Sequence, residues 1–266
     1  MDRAGSERRM VAAGRISRGV HAGRLSRQLG AHLAAFLIAL PLCASDIAFN
    51  PQLTQAEFVR FSRIVGQGIF ATPVQPARIT GLLGFDVGVA ATAMKINTGD
   101  SFWVHSVPQG SSLIRGNYAV VPRVVLSKGF GFATLSGSYA QFSNSSVKTY
   151  GGALDLPIIR GSLATPELAV RGSYATLSGI DVFKLKTYGL EVFLSKGFGP
   201  LMPYAAVGRM RTDSRGTVTP TLSLSDSSNI SRYTAGLRFS LVVPKLVFEA
   251  TQAEQRSYAA KISLGW

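Results

Sequence analysis

Residues 257–266 read SYAAKISLGW, and the alternation in this stretch decides the fold. Counting back in twos from Trp266 gives Leu264, Ile262, Ala260 and Tyr258, an apolar and aromatic series. The residues between them, Gly265, Ser263, Lys261, Ala259 and Ser257, are small or polar. A period of two belongs to a strand with unlike faces. It recurs upstream. In LLGFDVGVAATAMK (82–95), Leu83, Phe85, Val87, Val89, Ala91 and Ala93 share one face. YGGALDLPI (150–158) and YTAGLRFSL (233–241) alternate in the same way.

The pattern predicts about ten strands (8–12): near 80–96, 118–127, 131–141, 148–158, 167–176, 185–196, 202–212, 230–241, 245–252 and 257–266. Dyad repeats of about ten residues separated by turns are the signature of a transmembrane β-barrel. A soluble sandwich alternates as well, so other features must separate the two. The final strand resembles the C-terminal signature of bacterial outer-membrane proteins, carried here by Tyr258, Ile262, Leu264 and Trp266. That resemblance implies reading by a barrel-assembly machinery. Tyr118, Tyr139, Tyr150, Tyr174, Tyr188, Tyr233 and Tyr258 all fall at one end of the predicted strands, on their apolar parity. Such a level suits a bilayer interface. Tyr204 is placed at the other end, with Phe130, Phe198 and Trp266. Connections at that end are short, while 97–117 and 213–229 at the tyrosine end are long and are expected as outer loops. The second, rich in Ser and Thr, suits display.

LSKGFG occurs twice, at 126–131 and 194–199. Each copy is expected to be the bottom of a hairpin. Leu126 and Leu194 would end lipid-facing strands, Lys128 and Lys196 would sit at the headgroups, and Gly129 and Gly197 would take the positive φ of the turn. The stretches LGFDVGVAATA, LAVRGSYATLSG and KTYGLEVFLSKGFGPLMPYAAVG resemble an uncharacterised group of bacterial outer-membrane β-barrel proteins, a domain of unknown function. The resemblance runs from about Leu53 to Trp266 and implies an antiparallel barrel without implying an activity.

The chain has 266 residues and a net charge of +14, which raises nucleic acid as a partner. The distribution opposes it. Seven arginines against Asp2 and Glu7 put +5 within residues 1–30, and the other basic residues are scattered. HLAAFLIALPLCAS (32–45) follows, an apolar core too short to span a bilayer and ending in small residues. The order is that of a secretory signal, with cleavage near Ala44 or Ser45. A twin-arginine signal at Arg8-Arg9, a lipoprotein signal at Cys43 and a mitochondrial presequence are the alternatives. Cys43 is the only cysteine, which leaves the mature chain without disulfides.

Three regions follow: a signal peptide (1–45), a periplasmic or plug segment (46–78) and a barrel (79–266). In the second, Thr54 and Glu57 have capping-box spacing, and Phe58, Phe61, Ile64 and Val65 form one stripe. This short amphipathic helix either lies on the periplasmic mouth or enters the lumen. The lumen-facing parity is expected to collect Asp86, Arg123, Asp155, Arg171, Glu191, Arg209, Arg211, Arg232, Arg238, Glu249 and Lys261. In so narrow a barrel opposite charges would pair and close the passage. An anion-preferring pathway is the alternative, since basic members outnumber acidic ones. His105 with Asp100, Ser101 and Ser106 offers a weaker, hydrolytic reading. FWVHSV (102–107) is otherwise expected to dip into the interface through Phe102 and Trp103. No catalytic set, cofactor site or metal site is expected. The expected partners are the lipid bilayer, lipopolysaccharide and the assembly machinery, in the bacterial outer membrane, with no nucleic acid.

Overall fold

The structure is a computed structural model that describes residues 47–107, 114–115, 117–141, 147–162, 164–241 and 243–265. The expected signal peptide and Trp266 lie outside the described residues. The strands are β1 (Phe85–Lys95), β2 (Ile114–Arg115), β3 (Tyr118–Gly129), β4 (Thr134–Gln141), β5 (Lys148–Ile159) and β6 (Glu167–Ser178). They continue with β7 (Phe183–Ser195), β8 (Leu201–Thr219), β9 (Leu222–Ser240), β10 (Pro244–Gln252) and β11 (Arg256–Gly265). Each strand from β3 to β11 pairs antiparallel with the next, and the two-residue β2 only extends the end of β3. β1 pairs with β11 on one side and β3 on the other, closing a ring of ten strands. Val87 lies opposite Leu264, and Val89 opposite Ile262.

The two faces are inverted relative to a soluble protein. Val87, Leu126, Leu154, Val192, Leu237, Phe248 and Leu264 are exposed on the outside, whereas Asp86, Arg123, Asp155, Arg171 and Lys261 are buried within. An apolar outer band and a polar interior are what a lipid-facing barrel requires. The seven tyrosines named above are exposed on the outer face. Tyr139 and Tyr150 are direct cross-strand partners, as are Tyr174 and Tyr188, and each pair of rings lies 5.3 Å apart. This end is called the tyrosine rim; the other is the short-turn rim.

Four expectations are corrected. In both LSKGFG copies the second glycine takes the positive φ, Gly131 at 79° and Gly199 at 60°. Gly129 and Gly197 do not. Gly129 stays in β3, where Thr80 and Gly81 press on it so closely that a Cβ would strike their backbone. The second correction concerns 213–229, which is not a loop. β8 and β9 run on as a hairpin of two 19-residue strands that turns between Thr219 and Leu222. The short hydroxyl side chains there read as loop, yet the stretch carries the β-branched residues Thr212, Thr217, Val218 and Thr219, which favour strand.

The third correction is the phase of β8. Setting it by Tyr204 as a rim aromatic turns the strand over, because a one-residue change of phase exchanges the faces. Tyr204 in fact points inward and is buried, while Arg209 and Arg211 stand exposed on the outer face. The fourth concerns Phe102 and Trp103. They lie in a short helix, α2 (Ser101–Val104), and are buried rather than dipped into an interface. Trp103 packs edge-on against Phe61, their ring centres 5.5 Å apart.

Candidate functional site: a charged lumen threaded by the chain

The longer helix, α1 (Gln55–Ile69), begins with a complete capping box: the Thr54 hydroxyl accepts from the Glu57 amide at 3.3 Å, and the Glu57 carboxylate accepts from the Thr54 amide at 3.0 Å. Its buried stripe of Phe58, Phe61 and Ile64 joins Phe49, Trp103 and Phe183 in one aromatic cluster at the tyrosine rim. Phe58 sits over Gly216, where a Cβ would collide with its ring. Arg63 donates to the Ser228 hydroxyl at 3.0 Å, and Gln55 to the Ser225 carbonyl at 2.8 Å, which ties α1 to the long hairpin. The helix therefore caps the mouth opposite the short turns and does not lie on the short-turn mouth.

From Ile69 the chain descends through the lumen. Phe70 fills the space left by Gly189, whose missing side chain is the condition for its seat. Val74 and Ala77 are fully enclosed by Ala90, Val125, Ala169, Phe193, Tyr204 and Val247, which belong to six different strands. Gln75 is the hub. Its carbonyl accepts from Arg171 at 3.1 Å, its side-chain oxygen accepts from Lys261 at 2.8 Å, and its amide nitrogen donates to Ser127 at 3.2 Å. Val74 sits at φ 50°, a left-handed conformation costly for a β-branched residue, between Pro73 and the hub. Lower down, the Ile79 amide donates to Glu167 and the Thr80 amide to the Thr134 hydroxyl, each at 3.2 Å, before β1 begins at the short-turn rim.

The wall holds its charges in a row. Asp155 on β5 faces Arg171 on β6, which faces Glu191 on β7. Glu191 faces Gly208 on β8, which faces Arg232 on β9. Because Gly208 has no side chain, Arg232 reaches across it and donates to Glu191 at 3.1 Å. Arg171 grips Asp155 through two nitrogens and lies 4.4 Å over the Phe193 ring; Arg232 lies 4.1 Å over Phe70. Arg123 donates to the Gly68 and Phe70 carbonyls at 2.8 and 2.7 Å, satisfying acceptors that the end of α1 leaves open. Glu249 accepts from the Tyr204 hydroxyl at 2.6 Å. Asp86 lies 2.6 Å from Lys261 and 3.2 Å from Lys245.

Nine of the expected lumen residues thus face inward: Asp86, Arg123, Asp155, Arg171, Glu191, Arg232, Arg238, Glu249 and Lys261. Arg209 and Arg211 do not. Tyr204, Gln75, Lys245 and Glu167 belong to the interior and carry no motif that marks them. On β11, Tyr258 and Leu264 are exposed on the lipid-facing side.

His105 does not meet Asp100. Its Nδ1 lies 3.2 Å from Glu57, while Asp100 pairs with Arg60 at 3.0 Å. The Glu57 carboxylate takes hydrogen bonds from the Ser101 hydroxyl, the Thr54 amide and His105, which together hold its pKa down at about 2. The order is serine–carboxylate–histidine, with the acid in the centre. A histidine that activates a nucleophile must itself stand between hydroxyl and acid. Ser106 is fully buried. This cluster therefore fastens α2 to the start of α1.

No protein-family model and no curated protein matches the chain. Among solved structures, the N-terminal β-barrel domain of Pseudomonas aeruginosa OprF is similar at 10% identity and a TM-score of 0.32, over 70% of this chain and 100% of that one. The KdgM porin is similar at 10% identity and a TM-score of 0.33, over 68% and 99%. Ail of Yersinia pestis is similar, in two structures, at 12% to 13% identity and a TM-score of 0.27, over 68% and 93% to 94%. Scores at this level carry no inference about this chain, whose fold rests on its own ladders: a closed, ten-stranded antiparallel barrel of the transmembrane kind.

Proposed function

We propose that this chain is an integral protein of the bacterial outer membrane, closed in its resting form, that acts without catalysis as a structural or surface-interaction barrel. The observation that carries the reading is the lumen itself. Residues 70–80 occupy it, and Val74 and Ala77 are sealed against strands from every side. The apolar outer band and the tyrosine rim support insertion in a bilayer. Short turns face the periplasm in such barrels, so α1, α2 and the β8–β9 hairpin form the surface cap. Lipid and lipopolysaccharide surround the band, and the β11 strand serves as the assembly signal. The second reading is a plugged, narrow, anion-preferring channel. It is favoured by the noncovalent seating of the segment and by the excess of cations on the wall.

Planar-bilayer recording tests the proposal, with folding checked by heat-dependent migration on gels. The intact protein is expected to pass no steady current, and a variant lacking residues 47–80 is expected to stay silent if the wall alone closes the lumen. Anion-selective steps that appear only after the deletion would promote the plugged channel. Steps from the intact protein would overturn closure.

A further inference from the structure

The geometry points to an oxyanion-binding site in the short-turn mouth, centred on Arg238 and Arg78. A cavity of about 720 Å³ opens there, bordered by Arg78, Arg238, Lys196 and Lys245 and, among the described residues, by a single carboxylate, Glu167. Everywhere else in the lumen the guanidinium groups are answered: Arg171 by Asp155, Arg232 by Glu191, Arg123 by two carbonyls. Arg238 differs. Its Nε is buried without a hydrogen-bond partner among the described residues, as is that of Arg123, but the other two nitrogens of Arg123 each reach a carbonyl. The carboxylates within reach are already engaged. Glu167 accepts from the Ile79 amide at 3.2 Å and lies 3.7 Å from Arg78. Asp86 serves Lys261, Lys245 and Ser263 together.

A cation withdrawn from water needs an opposite charge or several acceptors, and this mouth supplies too few. One bound anion would answer Arg238 and be held also by the half-exposed Arg78, which lines the same mouth. The planar fork of arginine matches two oxygens of a phosphate or carboxylate group, which argues for an oxyanion over chloride. The site is a blind pocket, since Val74 and Ala77 seal the barrel beyond it, so it suits one phosphoryl group and not a polymer passing through. That group could belong to free phosphate or to a phospholipid headgroup. The inference needs the closed lumen only as a floor and does not depend on which side of the membrane the mouth faces.

The test is calorimetric titration of inorganic phosphate into the folded full-length protein in non-ionic detergent, with chloride holding the ionic strength constant. Saturable single-site binding is expected, weakened at least tenfold by Arg238→Gln and by Arg78→Gln and unchanged by Arg211→Gln on the outer face. If Arg238→Gln fails the heat-migration check, Arg238→Lys keeps the charge, loses the fork and should show the same weakening. A phosphorus assay on the extracted protein separates the sources: one phospholipid retained by the wild type and lost in the variants identifies the headgroup. No saturable binding together with no retained phospholipid, or equal affinity in the Arg238 variants, overturns the site. Bilayer conductance is read separately, so failure here leaves the closed-barrel reading untouched.

Discussion

Arg171 and Asp155 face each other directly across β5 and β6, and the guanidinium holds both carboxylate oxygens, at 2.6 and 2.8 Å. Both side chains are shut off from solvent, at 0% and 1% exposure. Breaking such a pair from one side leaves a buried charge unanswered, which typically costs about 3–5 kcal/mol. Arg171→Leu should lose that amount in urea unfolding from lipid vesicles, and also the bond to the Gln75 carbonyl. The double variant Arg171→Leu/Asp155→Leu should recover most of it. Equal losses in single and double variants would show that the pair itself is not the source.

Phe70 depends on the empty position at Gly189, where a Cβ would overlap its ring. Gly189→Leu should therefore displace the lumen segment while leaving the outer face of β7 unchanged. Limited proteolysis is the readout: cleavage between residues 47 and 80 should rise steeply while the barrel core resists. An unchanged digestion pattern would refute this seating.

The Glu57 carboxyl titrates far below its usual range, at about 2, because hydrogen bonds from Ser101, Thr54 and His105 favour its charged form. Its folded pKa is depressed, so its contribution is complete above pH 4.5 and is lost as pH falls towards 2. Protection from hydrogen exchange at the first turn of α1, taken relative to the intrinsic rate at each pH, should fall through this window. Glu57→Gln should be less protected at neutral pH and its protection nearly flat across the window. An identical acid response in that variant would assign the effect elsewhere.

Leu237 stands on the lipid face of β9 opposite Phe248. Leu237→Arg is expected to cost about 2–4 kcal/mol if this level is near the bilayer midplane. Unfolding of vesicle-inserted protein measures it, and a cost near zero would place the level at an interface instead.

The closing ladder sets Val87 against Leu264 and Val89 against Ile262. With β11 as the assembly signal, Trp266→Asp should abolish the heat-modifiable form in outer-membrane fractions. Normal levels of that form would remove the terminal strand from this role.

The strands were legible because each carries unlike faces that differ at every second residue, as in Phe85–Lys95 and Tyr150–Ile158. The capping box of Thr54 and Glu57 was legible because its chemistry is local. β8 was not. Tyr204 is both an interface aromatic and a hydroxyl donor, and only Glu249, 45 residues away, decides between the two roles. The wrong choice carried Arg209 and Arg211 inward with it. The path of 70–80 could not be read at all. TPVQPAR (72–78) has no period, and the partners of Gln75 lie 52, 96 and 186 residues further along the chain. Arg238 stood in the expected lumen set, but the want of a partner for its Nε among the described residues emerges only once the carboxylates around it are seen to be engaged.

Residues 70–80 lie inside a ring that is zipped shut by nine residue pairs between β1 and β11. Like a cord drawn through a buckle, the segment is wider at one end, where α1 and its aromatic cluster sit, and is continuous with the buckle at the other, where it becomes β1. It can leave only if the zipper opens or if the helix unravels and is hauled past Phe193, Arg171 and Tyr204. Its retention is therefore mechanical as well as chemical. Weakening individual contacts should slacken the cord without freeing it, and the segment must already be in place when the last strand fastens.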